Sequence, residues 1–388
     1  MISTEAALAR IFALLPPVEG ERIALAEAAG RVLTAPVTAP RDEPPFAASS
    51  MDGYALKGIE ADPEAMFRVI GEAAAGRPFE GRVGAGECVR IFTGAPVPEG
   101  ADRVIMQEQA TRRGDLVTLA RQLDPRPFIR PPGADFRAGQ DLIPPRPLRP
   151  ADLALLAAMN MAEISVARRP EVAILATGDE LVMPGEPPGP GQIVASNPFA
   201  LKAIVAQAGG QPRILPVARD TAASLRQAFG HAQGARLILT TGGAAVGAYD
   251  LVADVARELG GRVETLRVAM RPGKRLIVGR LGDAVLLGLP GTPTAAMVAA
   301  RVHAVPAIRA LLGLGQAPAP RLSARLSTDL PENGPLEGYL PARLDAAGIA
   351  PIHGAHGLLA CASANALLIR PPGDPARAAG DPVPYLPG

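Results

Sequence analysis

Tryptophan is absent and aromatic residues make up only 3% of the 388-residue chain. Base-stacking platforms for single-stranded nucleic acid are therefore not expected. Lysine is almost absent too, with Lys57, Lys202 and Lys274 the only three. Arginine carries most of the positive charge, there is no long basic run, and the net charge is +1. A phosphate backbone needs clustered cations, so nucleic acid is excluded as the main partner. The two cysteines, Cys88 and Cys361, stand far apart. That excludes a disulfide framework or a cysteine-based zinc site and fits a reducing, cytoplasmic setting. No apolar run reaches 18 residues, so no membrane span is expected. The opening "MISTEAALARIFALL" reads as an amphipathic helix carrying Glu5 and Arg10, not as a signal peptide.

What is present describes a globular chain, 48% apolar and 20% charged, and long enough for several cores. The 42 glycines and 42 prolines punctuate apolar runs, which predicts many short elements. Helices are predicted over 3–15 and 21–33. From about 66 to 124, "FRVIGEA", "ECVRIFTGA", "DRVIMQEQA" and "DLVTLA" read as strands of a small β unit. A Pro-rich connector leads to "PADLALLAAMNM", a helix with Pro150 and Asp152 in its first turn. After residue 170 the pattern changes. "EVAILATG", "QPRILPVARD", "RLILTTGG" and "DAVLLGLPG" alternate with helical stretches, which predicts a parallel sheet covered on both faces. Ligands of such sheets bind at the carboxyl ends of the strands. The chain closes with a further small β unit.

The loops at those ends carry the chemistry. In "LILTTGGAAVGAYD" a buried strand runs through Thr241, Gly242 and Gly243 to Gly247, then to Asp250. Bare amides ahead of a helix make an anion cradle, although the spacing is neither a P-loop nor a dinucleotide fingerprint. A plain strand-to-helix turn is the alternative. "LATGDEL" places Asp179 and Glu180 at what reads as an acidic helix start, and Asp220 reads as the N-cap of the next helix. "RPGKRL" sets Arg271, Lys274 and Arg275 around a Pro-Gly turn, either a solvated basic turn or a clamp on an oxyanion. "GLPGTP" contributes Pro290 and Pro293. Carboxylates close to a phosphate repel it by roughly 4 kcal/mol per pair at about 4 Å and an effective dielectric near 20. A magnesium ion shared between acids and phosphate would reverse that sign. His353 and His356, in "HGAH", lack a third ligand and a helix to hold their spacing. No Ser-His-Asp or Cys-His set points to a covalent nucleophile.

Six motifs, "SSMDGYAL", "FTGAPVPEGADRVIMQE", "LATGDELV", "TTGGAAVGAYD", "RPGK" and "GLPGTP", occur in the order seen in the MoeA family of molybdopterin molybdenumtransferases, related to the E domain of gephyrin. The resemblance covers essentially the whole chain. It implies a multidomain α/β plus β protein: a helical linker domain (1–45 and 138–168), a small β domain (46–137), a central parallel-sheet molybdopterin-binding domain with helices on both faces (169–315) and a C-terminal β domain (316–388). It implies an elongated homodimer in which the sheet domain of one subunit and the small β domain of the other share an active site. The implied reaction joins adenylylated molybdopterin and molybdate to give molybdenum cofactor and AMP, with Mg2+.

Position by position, Asp52 and Thr93 match the residues that the small β domain contributes. Glu180, Asp220 and Asp250 match the acids of the sheet domain, which the family resemblance makes catalytic and metal-binding. Asp135 in "GADF" matches a further family acid, and Lys274 the basic turn. Thr241, Gly242, Gly243, Gly247, Arg271, Lys274, Pro290, Pro293 and Asp135 are the expected substrate contacts. Several positions depart from the family pattern: Thr241, Ala245 and Ala355 where serine is common, Arg271 for lysine, Thr292 for asparagine and Pro341 for arginine. Two other functions stay open on the sequence. One is molybdopterin adenylyltransferase, which the sheet domain alone resembles. The other is a molybdopterin-binding paralogue without turnover that acts as a scaffold or chaperone. Small-molecule substrates are the expected partners, with the adenylyltransferase or recipient molybdoenzymes as protein partners.

Overall fold

The computed structural model describes residues 1–242, 248–354 and 356–388, with the backbone alone for 248–250. Its centre is the six-stranded sheet that the apolar runs after residue 170 build. The order is Gln211–Ile214, Glu171–Thr177, Leu237–Gly242, Ala284–Leu289, Arg275–Leu281, Arg262–Arg267. The first four strands are parallel, as expected. The last two are antiparallel and extend the sheet beyond the sequence reading. Alternation along each strand feeds two cores. Val172, Ile174, Leu237, Leu239, Val285 and Leu287 pack on one face with Leu201 and Val205 of helix Asn197–Gln207. Ala173, Leu175, Ile238 and Leu286 pack on the other with Leu225 and Phe229 of helix Ala222–His231 and with Val252 and Val255 of helix Ala248–Glu258. Both faces are therefore covered, which explains strands that are apolar at nearly every position.

The first helix, Thr4–Leu14, is capped by Ser3 Oγ, which accepts from the Ala6 amide at 3.1 Å. Its Ala7, Leu8 and Ile11 join the core of the sheet domain. The helix predicted over 21–33 does not form. Strand Gly20–Ala24, a single turn Leu25–Glu27 and strand Val32–Leu33 take its place, in a four-stranded sheet with Glu163–Ala167 and Arg146–Pro147. Gly30 sits at φ +69°, which stops a helix there. Helix propensity differs by only a few tenths of a kcal/mol per residue among such residues. Pairing with Glu163–Ala167 and burial of Val32, Leu33, Ile164 and Val166 outweigh it.

The small β unit is a six-stranded sheet between residues 53 and 119, in which Gly53–Leu56 lies between Arg103–Met106 and Glu87–Ile91. The C-terminal sheet includes Glu337–Asp345, Ala366–Arg370 and Pro382–Pro387. It reaches the central domain through Met270–Arg271, which pairs in parallel with Glu337–Asp345. A buried carboxylate fixes that junction. Glu337 Oε2 accepts from Thr4 Oγ1 and from Tyr339 Oη, each at 2.8 Å, and Glu337 Oε1 pairs with Arg321 at 2.8 Å. Among the described residues, no helix is long and apolar enough to cross a membrane.

Candidate active site

Strand order decides which loops meet. The parallel strands Gln211–Ile214, Glu171–Thr177, Leu237–Gly242 and Ala284–Leu289 lead at their carboxyl ends to Asp220, Glu180, Gly242 and Pro290 respectively. Arg275–Leu281 runs the other way beside Ala284–Leu289, so its start, with Lys274, lies at the same edge. The sheet therefore gathers five of the expected site residues along one edge.

Local contacts hold this edge in place. Thr177, buried at the end of its strand, donates from Oγ1 to Asp220 Oδ1 at 2.8 Å. The Asp220 amide donates to Asp179 Oδ1 at 3.3 Å, and the Arg219 guanidinium donates to the Asp179 carbonyl at 2.9 Å. Asp220 is not the N-cap that its position suggests. Thr221 takes that role, its side chain accepting from the Ser224 amide at 3.2 Å, so the Asp220 carboxylate is not spent on capping the helix. Asp179 and Glu180 do not open a helix either; they precede the short strand Leu181–Val182. Gly242 lies flat against Thr177, where a Cβ would come within 2.7 Å of Thr177 Cγ2. Thr241 is buried in the strand, 2% exposed, so its side chain faces the core.

The basic turn packs on the proline loop. A Cβ at Gly273, whose φ is +98°, would sit 3.5 Å from Pro290 Cγ. Arg271 and Lys274 flank this turn and are exposed. Asn197, at the start of its helix, donates from Nδ2 to the Gly291 carbonyl at 2.6 Å. It thereby ties the loop after Leu181–Val182 to the loop that holds Pro290 and Pro293. Thr292 ends that loop as N-cap of helix Pro293–Ala299 but makes no side-chain cap. Thr177, Arg219 and Asn197 were not singled out in the sequence. Gly243, Gly247 and Ala355 lie outside the described residues, as does the Asp250 side chain.

The second group lies in the small β unit. Asp52 Oδ1 accepts from the Thr93 amide at 2.8 Å and from Thr93 Oγ1 at 2.7 Å. These two residues, 41 positions apart, meet because Gly53 pairs with Ile91 across adjacent strands. The Thr93 amide and then its hydroxyl hold the Asp52 carboxyl below the usual range, with Arg90 adding to the effect. Asp135 is exposed and pairs with Arg130 at 2.6 Å. Among the described residues, no hydrogen bond or ion pair joins this group to the sheet edge.

Two further checks bear on the site. A cavity of about 480 Å³ lies at the opposite, amino-terminal end of the strands, between Glu19, Glu21, Arg31, Arg168 and Arg236. Most of its charges are paired, Arg31 and Arg168 with Glu21 and Arg236 with Glu19. It is a joint between units, not the edge where such sheets bind ligands. The carboxylate oxygens of Glu180 and Asp220 are the donor type that Mg2+ takes. Among the described residues, however, no three His, Cys, Asp or Glu side chains converge into a metal-holding group. The fit to magnesium is therefore one of donor type alone.

Three family models match in succession: the MoeA N-terminal region (domain I and II) over residues 2–160, a probable molybdopterin binding domain over 173–310, and the MoeA C-terminal region (domain IV) over 323–387. The chain belongs to the MoeA family. A molybdopterin molybdenumtransferase of a Nostoc species is 35% identical, covering 94% of this chain and 88% of its own length. That of Haemophilus influenzae is also 35% identical, covering 81% and 79%. The crystal structure of a molybdopterin biosynthesis MoeA protein from Pyrococcus horikoshii superposes with a TM-score of 0.84 at 28% identity, covering 100% of this chain and 99% of that one. Membership accounts for a central sheet domain flanked by a small β unit and a C-terminal sheet.

Proposed function

We propose that this protein inserts molybdenum from molybdate into adenylylated molybdopterin, releasing AMP, in a Mg2+-dependent reaction in the cytoplasm. The observation that carries this reading is the alignment of Asp220, Glu180, Gly242, Pro290 and Lys274 along one sheet edge, in a chain whose relatives are named for that transfer. The units of 1–45 with 138–168, 46–137, 169–315 and 316–388 are the proposed domains, with helix Thr4–Leu14 of the first packing into the core of the sheet domain.

Each residue takes a role that its chemistry supports. Lys274 and Arg271, exposed on their turn, attract the anionic substrate. Gly242, packed against Thr177, lets the strand end lie close to its neighbour, and Gly243 and Gly247 would supply amides to the ligand. Asp220, held by Thr177, and Glu180, together with Asp250, would hold Mg2+. The ion, when bound, neutralises phosphate charge and polarises the anhydride. Asp52, kept ionised by Thr93, orients the attacking group; Asp135, paired with Arg130, is a further proposed substrate contact. We further propose a homodimer in which the Asp52–Thr93 group of one subunit completes the sheet edge of the other. The separateness of the two groups within one chain favours this arrangement. The molybdopterin adenylyltransferase and recipient molybdoenzymes are the proposed protein partners.

The test supplies purified protein with adenylylated molybdopterin, molybdate and Mg2+ and follows AMP release. AMP should appear for the wild type and fall heavily for Asp52→Ala and Asp220→Ala with their folds intact. In a parallel reaction given ATP and unmodified molybdopterin, ATP consumption would indicate adenylyl transfer, and binding without AMP release would indicate a scaffold.

A further inference from the structure

Arg90 lies on strand Glu87–Ile91, directly across from Tyr54 and three residues before Thr93. Its guanidinium carbon stands 4.7 Å from the centre of the Phe92 ring and 5.2 Å from that of Tyr54. Two hydrogen bonds fix its plane, one to the Gly53 carbonyl at 3.2 Å and one to Gln107 Oε1 at 2.7 Å. Both acceptors are neutral. The contrast with neighbouring arginines is informative. Arg126 also stacks on a ring, that of Phe128, but its charge is neutralised by Asp124 at 2.6 Å. Arg68 is paired with Glu87 and Arg130 with Asp135. Among the described residues, Arg90 has no such ion pair.

A guanidinium has five N–H donors, and only two contacts engage this one. Among the described residues, Nε has no partner and is not a buried atom, and the contact to Gln107 is itself exposed, so donors of this guanidinium reach solvent. Stacking and hydrogen bonding remove most of the rotational freedom that an exposed arginine would lose on binding. What remains is a positive charge, fixed in orientation, beside a carboxylate that by itself would repel any anion approaching Asp52 and Thr93.

We propose that Arg90 binds an oxyanion of the substrate and is a specificity-determining residue of the small β unit. The inference rests on the proposed transfer reaction, because it places that substrate against the Asp52–Thr93 group. The oxyanion is either the nucleotide phosphate or molybdate, both tetrahedral and each offering two oxygens to the planar fork of the guanidinium.

Isothermal titration calorimetry on the full-length protein, with AMP and with molybdate as separate probes, compares the wild type with Arg90→Lys and Arg90→Ala. Arg90→Ala should weaken binding of one of the two anions by about tenfold or more, as loss of a charge-assisted contact does. The affected anion identifies the source. Arg90→Lys keeps the charge and loses the fork and the ring stack, so its affinity should fall between the other two. Thermal melting of both variants should stay close to the wild type, since Arg90 is only half-buried and its bond to Gln107 is exposed. Unchanged affinity for both anions in folded Arg90→Ala protein would overturn the proposal. So would a loss of affinity that merely tracks unfolding and is not eased in Arg90→Lys. A wild type that binds AMP or molybdate through Arg90 yet releases no AMP from adenylylated molybdopterin would refute the transfer reaction and leave Arg90 as an anion site.

Discussion

Gly53→Ala should damage the Asp52 group more than the change of one methyl suggests. Gly53 sits on an inner strand, paired with Ile91 on one side and Met106 on the other. A Cβ built there lies 1.9 Å from the Ile105 carbonyl oxygen and 2.8 Å from its carbon. The obstacle is backbone within a sheet, so no side chain can swing away to make room. Reaching even the 3.0 Å that real Cβ contacts essentially never fall below requires a shift of about 1.1 Å. That shift falls on the strand that carries Asp52 at its start and offers the Gly53 carbonyl to Arg90. Overpacking of this kind costs roughly 1–3 kcal/mol of stability, and a misplacement of about 1 Å costs on the order of 100-fold in turnover. The assay is AMP release at saturating and limiting substrate, with thermal melts of the same preparations. Gly230→Ala is the control. Gly230 lies within helix Ala222–His231 and has nothing within 4 Å of its Cβ position, so alanine should be neutral or stabilising by up to about 1 kcal/mol. If Gly53→Ala melts and turns over like the wild type, the sheet does not constrain Asp52 in the way described.

Two further outcomes follow from the buried networks. Thr177→Val removes the hydroxyl that holds Asp220 while keeping the shape of a buried side chain. Turnover should fall about tenfold with little change in melting temperature, and an unchanged kcat/KM would show that Asp220 needs no such support. Asp374 accepts from Arg370 and from Arg377, each at 2.6 Å, and is 5% exposed. Burial alone would raise its pKa, but hydrogen bonds from Arg377 and Arg370 prevail and hold it below 3.8. Its stabilising effect is therefore present above that value and is lost as pH falls through the lower, folded pKa. Asp374→Asn should destabilise by roughly 3–5 kcal/mol at pH 7, because it leaves Arg370 buried without its partner. In urea melts from pH 7 to pH 3, the gap to the wild type should close only below about pH 4; a gap that closes already near pH 6 would contradict this assignment.

The sheet domain was legible because its signal is local. Four apolar runs ending in Gly or Asp, alternating with helical stretches, leave few arrangements other than a covered parallel sheet. The antiparallel pair escaped because "RVETLR" and "RLIVGRL" carry exposed arginines that mask their alternation. The stretch 21–33 misled because good helix formers such as Ala and Glu were recruited by a distant strand. Asp220 was read as a cap because the choice between it and Thr221 depends on one residue of register. Arg90, on its strand, and Phe92, one residue past its end, are two apart, and their pairing is suggested by sequence alone. Tyr54 and Gln107 reach Arg90 only through cross-strand register, which no local pattern reveals.

The two halves of the site are organised without reference to each other, and this constrains how they can work. Along the sheet edge, Asn197 ties one loop to Gly291, Arg219 ties another to Asp179, and Gly273 rests on Pro290. Around Asp52, Thr93 and Gln107 do the same within a single sheet, Gln107 through its amide to the Asp52 carbonyl at 3.0 Å. Each half is thus held by hydrogen bonds and packing inside its own unit, several of them to the backbone, the arrangement that keeps functional groups in place before a ligand arrives. What remains to be set is the approach of one half to the other. A substrate that bridges them supplies contacts to both, and the binding free energy of its remote parts can then draw the reacting groups together. On this reasoning the positive charges of Lys274 and Arg90, one on each half, matter beyond simple attraction. Under the proposed reaction, an anion that spans both would be held at two points, with Asp52 and Asp220 both within its reach.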